Sequence, residues 1–138
     1  MRNIQHERPQ LIRVLLLHPP HSPVERQLEL FLNDPARGFP VRLIQSTDSP
    51  ERCRSMIREL FPDVILLADL ENNPSWRSNV LQISKDINID FQSVATVILT
   101  DAADMEDYFA HAMSAGARSV VKVEQLGDGL LGTLGSEV

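Results

Sequence analysis

The chain has 138 residues, 43% of them hydrophobic and 23% charged, with a formal net charge of -6 and a pI of about 5.1. That length suits one domain with a real core, and the acidic balance argues against non-specific nucleic-acid binding, which needs a basic face. No apolar run approaches the roughly 18 residues of a membrane span. The amino terminus, MRNIQHERPQ, lacks the apolar centre of a secretion signal, and the single cysteine, Cys53, rules out an intrachain disulfide and fits a reducing cytoplasm.

Residues 1–10 carry no hydrophobic period and read as a mobile arm; residues 11–138 read as one domain. Leu11 to Leu17 predicts the first strand, stopped by His18-Pro19-Pro20, because consecutive prolines do not continue a sheet interior. Ser22 is a candidate N-cap, with Pro23 opening the first helix. Val24, Leu28, Phe31 and Leu32 form its apolar stripe, and Asn33-Asp34-Pro35 ends it. After the turn Arg37-Gly38-Phe39-Pro40, Val41 to Ser46 alternates as a second strand. Ser49 caps a second helix that begins at Pro50 and runs to about Phe61, with Cys53, Met56, Ile57 and Leu60 facing inward.

Pro62-Asp63 then turns the chain into Val64 to Ala68, an unbroken apolar run closed by Asp69. Such a run suits a strand buried on both faces of a parallel sheet. A polar connection, Leu70 to Ser75, leads to a third helix from Trp76 to about Ile89, with Val80, Leu81, Ile83 and Ile87 inward and an irregular tail over 86–93. Ala95 to Thr100 is the fourth strand. Asp104 caps a fourth helix from Met105 to Ala115, and Gly116 is its C′ residue. Ser119 to Val123 is the fifth strand. Leu126, Leu130, Leu131 and Leu134 mark a weak fifth helix, in which interior glycines each cost about 1 kcal/mol against alanine. The β-α rhythm with short connections predicts parallel strands and right-handed crossovers.

Several stretches resemble the receiver domain of bacterial response regulators, the CheY-like family. Arg13 to Leu17 is similar to its first strand, Phe61 to Leu67 to its third, Val97 to Thr100 to its fourth, and Ala112 to Ala117 to the end of its fourth helix and the turn after it. The resemblance covers residues 11 to about 134. It implies a (βα)5 flavodoxin-like three-layer α/β sandwich, with a five-stranded parallel sheet in the order 2-1-3-4-5. It also implies a chemistry: phosphoryl transfer to an aspartate at the end of the third strand, with Mg²⁺ held by that aspartate and an acidic pair after the first strand. Mg²⁺ demands oxygen ligands in near-octahedral array.

At the positions of the acidic pair this chain carries His18 and Pro19, and at the phosphoacceptor position it carries Ala68. Asp69 follows one residue later, and a one-residue step in a strand turns a side chain to the opposite face. Thr100 matches the family's hydroxyl. Lys122 arrives one position before the family's lysine, and no proline follows it. The pattern resembles a degenerate pseudo-receiver, which implies a phosphorylation-independent interaction module and not an enzyme, with no cofactor and no Mg²⁺.

Two other readings remain open at this point. One is an atypical receiver switched by phosphorylation at Asp69, weighed against Asp69 as a loop carboxylate capping the next turn. The other is a ligand or metal sensor at the carboxyl edge of the sheet, built from His18, His21, Asp69 and Asp101 and weighed against exposed loop histidines and acidic helix caps. The resemblance further implies a dimer or output surface on helix 4, strand 5 and helix 5, here including Met105, Tyr108, Phe109, His111 and Ala112. Tyr108 and Phe109 are adjacent, so both cannot face the core of one helix. The expected partner is a protein or a second copy, with no nucleic acid and no membrane, in the cytoplasm.

Overall fold

The computed structural model describes residues 11–33, 41–71 and 73–123. Five strands and four helices alternate among them: β1 (Ile12–Leu17), α1 (Val24–Leu32), β2 (Val41–Thr47), α2 (Pro50–Leu60), β3 (Val64–Asp69), α3 (Pro74–Asp90), β4 (Ala95–Thr100), α4 (Met105–Ser114) and β5 (Ser119–Lys122). All neighbouring pairs in the sheet are parallel, in the order β2-β1-β3-β4-β5. The predicted arm over 1–10, the turn over 37–40 and the weak fifth helix lie outside the described residues.

Period-two alternation divides the strands between two cores. Val14, Leu16, Val64, Leu66, Ala68, Val97 and Leu99 pack with the buried stripe of α1, namely Val24, Leu28 and Leu32. Leu15, Leu17, Ile65, Leu67 and Ile98 pack with Cys53 and Ile57 of α2, Trp76, Val80, Ile83 and Ile87 of α3, and Tyr108 and Ala112 of α4. Every residue of β3 and β4 is buried, as sheet strands covered by helices on both sides must be.

The helix ends follow local chemistry. Ser49 Oγ accepts the Arg52 N–H at 3.3 Å, Asn73 Oδ1 the Trp76 N–H at 3.1 Å and Asp104 Oδ1 the Asp107 N–H at 3.2 Å. Pro50 and Pro74 stand just inside two of these caps, where a missing N–H costs nothing. Gly116, at φ +86, closes α4; a Cβ there would come within 2.7 Å of the Asn88 side chain.

Three expectations need correction. Pro23, not Ser22, occupies the N-cap position of α1, and Ser22 Oγ instead accepts the Val24 N–H at 3.3 Å. The third helix starts two residues before Trp76, because Asn73-Pro74 nucleates it. Its tail is helical to Asp90, because Ile87 is buried and Asp86 is bonded to Gln82 and Arg54. Leu81 faces inward as expected, half-buried against the core.

Candidate functional site

The sheet order changes direction between β1 and β3, so the crevice at their carboxyl ends is where open α/β sheets place ligands. The last paired residues there are Leu17 and Leu67, and the next two are His18 and Ala68. His18 is buried at 8% exposure, and its N–H bonds the Thr47 carbonyl at 3.0 Å. Its Nδ1 lies 2.9 Å from the Pro19 carbonyl oxygen, which places a proton on Nδ1. Its Nε2 is 3.8 Å from Glu25 Oε1, within ion-pair range when the ring is protonated. Glu25 in turn accepts from the Ser46 hydroxyl. Pro19 and Ala68 bring no polar side-chain atom to the crevice. His21 is exposed and does not join His18. Among the described residues, no three His, Cys, Asp or Glu side chains are grouped as a metal ion would require.

Asp69 behaves differently from the expected loop carboxylate. It is the last residue of β3, pairs in register with Thr100 and is fully buried. By strand parity it shares the face of Ile65 and Leu67, opposite Ala68. Its Oδ2 accepts from Arg77 Nε at 2.7 Å, and it caps no turn. One helical turn of α3 makes this possible. Trp76 anchors the start of that helix by donating from Nε1 to the Ala68 carbonyl at 2.8 Å, and Arg77, the next residue, falls over Asp69.

The guanidinium of Arg77 also lies 5.1 Å from the centroid of the Tyr108 ring on α4. Burial works against its charge, but the hydrogen bond and charge of Asp69, backed by Tyr108 and Asp101, outweigh burial and raise its pKa above the ordinary arginine value. Burial, and then the Asp69 carboxylate, push the Tyr108 phenol far above its usual value; Thr100 and Arg77 pull the other way. The Tyr108 hydroxyl is thus close enough to Asp69 and Thr100 for both to change its acidity, yet it forms no hydrogen bond of acceptable geometry. Asp69 Oδ1 and Arg77 Nη2 are likewise buried without a partner.

The remaining predicted residues are placed as follows. Thr100 is fully buried, and its Oγ1 accepts the Ala102 N–H at 3.1 Å, which shapes the turn into α4. Asp101 is exposed; its Oδ2 accepts the Glu71 N–H at 3.0 Å and holds Glu71 in the left-handed region at φ 71. Lys122 is half-buried and pairs in register with Thr100. On α4, Phe109 is 47% exposed and His111 is exposed, while Met105 is half-buried. Tyr108 and Ala112 belong to the core and offer no surface, which corrects their place in the expected interface. Met113, 41% exposed and one turn beyond Phe109, extends the apolar patch. Its i+4 spacing from Phe109 was the available signal. Nothing local in the sequence marked Arg77.

No family model matches this chain, and neither does any curated protein. Solved structures do. The response-regulator domain of Thermotoga maritima CheB superposes with a TM-score of 0.74 at 16% identity, covering 93% of this chain and 96% of that one. The isolated receiver domain of RcsB from Salmonella enterica serovar Typhimurium gives 0.73 at 13%, covering 90% and 85%. An orphan response regulator of H. pylori gives 0.66 at 21%, covering 94% and 98%. Alternating β and α elements, a 2-1-3-4-5 parallel sheet and these superpositions together establish that the chain has the CheY-like fold of response-regulator receiver domains.

Proposed function

We propose that this domain is a pseudo-receiver: a signalling module that acts through protein contacts and not through phosphoryl transfer. One observation carries the reading. Where the receiver resemblance implies carboxylates, the crevice holds His18, Pro19 and Ala68, and Asp69, the acid that follows Ala68 in the strand, is buried on the other face of β3 in an ion pair with Arg77. A hard cation finds no carboxylate set there, so the reading includes no Mg²⁺ and no cofactor. It also includes no catalytic turnover. The exposed Phe109 and Met113, beside His111, are the contact surface on α4 for a protein partner or a second copy. An aromatic flanked by small residues is a good interface anchor.

The test is incubation of the protein with a small phosphodonor and Mg²⁺, followed by intact-mass and peptide mass spectrometry. The reading expects no acyl-phosphate on Asp69 and the same partner or self-association before and after treatment. An adduct on Asp69 would overturn it in favour of a phospho-switch. Loss of association in Phe109→Ser, with the fold intact, would locate the contact on α4.

A further inference from the structure

The turns that enter β3 and β4 at their amino ends carry a surface that neither the crevice nor α4 accounts for. α2 ends there on Phe61, which is 74% exposed. Its φ of 49 lies in the left-handed region, where a bulky side chain is strained, and strain of this kind collects at functional sites. The backbone is held from both sides: the Phe61 N–H donates to the Ile57 carbonyl at 3.0 Å, and Arg13 Nη1 donates to the Phe61 carbonyl at 2.9 Å. The ring therefore projects from a fixed base, and little backbone freedom is lost when it is covered. Beside it, between the ends of α2 and α3, lies a groove of about 520 Å³. Ile57, Pro62, Phe91 and Val94 form its apolar lining, and Arg58 and Asp90 are its exposed charges. The Arg58 guanidinium lies 5.6 Å from the centroid of the Phe91 ring. Asp63 also borders the groove, but its Oδ2 is taken by the Arg13 N–H at 2.8 Å.

We infer that this patch is a self-association surface: two copies of the chain meet across a two-fold axis, and each Phe61 ring enters the other copy's groove. Three features select a second copy as the occupant. The patch holds both a projecting aromatic ring and an apolar recess beside it, and a two-fold axis brings each of these onto the other. Its exposed charges are one of each sign, so the same axis sets Arg58 of one copy opposite Asp90 of the other. The uncharged polar residues of the groove, Gln92 and Ser93, are exposed, unlike the few converging polar groups that orient a small molecule inside a pocket. Covering a projecting aromatic in an apolar recess is how an interface gains most of its strength. This contact is distinct from the Phe109 and Met113 surface on α4 and stands without it.

The experiment is sedimentation velocity of the full chain carrying Phe109→Ser, from micromolar to millimolar protein. Phe109 is 47% exposed, so its replacement leaves the core intact and silences any contact through α4. A concentration-dependent dimer is expected. Adding Phe61→Gly suits the left-handed backbone, keeps the monomer folded and removes the ring. It should weaken the dimer about a hundredfold, because the axis places the ring in the interface twice. Arg58→Asp and Asp90→Arg should each weaken it about tenfold by setting like charges opposite one another. An equimolar mixture of those two variants should form a heterodimer close to the original strength, since both contacts then pair opposite charges. A monomer up to millimolar protein, a dimer that Phe61→Gly leaves unchanged, or a mixture that associates no better than either charge variant alone would overturn the proposal.

Discussion

The two faces of β3 differ in what they bury. Toward α1, Val64, Leu66 and Ala68 meet a wholly apolar layer. Toward α3 and α4, Ile65 and Leu67 are followed by Asp69, with its Arg77 partner and the Tyr108 hydroxyl inside the same layer. A step of one residue separates the two. It moves the strand-terminal carboxylate out of the crevice where a receiver's chemistry is expected and into a helix-packing interface. The lesson is that parity along a strand decides whether an acid is a reagent or a structural ion.

Substitutions on the two faces should therefore fail in different ways. The largest loss is expected from Leu66→Ala, which deletes a fully buried side chain in the apolar layer and should cost about 3 to 5 kcal/mol in denaturant unfolding. Asp69→Ala should cost roughly 2 to 4 kcal/mol. It leaves the Arg77 charge without its partner, but the 27% exposure of that side chain lets water recover part of the loss. A double Asp69→Leu, Arg77→Met variant should regain most of it, because an apolar pair in place of a buried ion pair is often neutral. Failure of the double variant to recover would mean that the polar layer is needed for the fold and is not merely tolerated.

Cys53 provides a pH test on the α2 side. Burial pushes its thiol from 9.0 up to about 12, with Arg54 opposing. The unfolded chain releases that proton first, so stability should fall as pH rises above about 9.0 and go on falling toward about 12. Cys53→Ala should remove that part of the slope, read from thermal melts between pH 8 and 11. A smaller effect of opposite sign is expected at the amino edge. Phe61 is 74% exposed and sits in the left-handed region at φ 49. Phe61→Gly should stabilise by about 0.5 to 1 kcal/mol.

Much of this was legible in the sequence, and the reasons are physical. The five apolar runs and the Ser49, Asn73-Pro74 and Asp104 boundaries are short-range signals, though Asn73-Pro74 is easily read as connection and not as a helix start. The long α3 tail was hidden because only Ile87 in it is buried, while Asp86 is held by Arg54 across the gap to α2. Adjacency showed that one of Tyr108 and Phe109 had to be exposed, but only packing decided that it is Phe109. For Asp69, the parity argument concerned direction alone. Its partner, Arg77, stands on a different element, and no spacing rule joins a strand end to the first turn of the next helix.

The most direct test of the central claim is an amide NMR titration with Mg²⁺ and beryllofluoride, which mimics a phosphoryl group on aspartate. The account predicts no saturable shift at Ala68, Asp69 or Thr100, because Asp69 stays on the α3 face in its pair with Arg77. Saturable shifts at those three residues would show that Asp69 reaches the crevice and that the domain retains a receiver's switch.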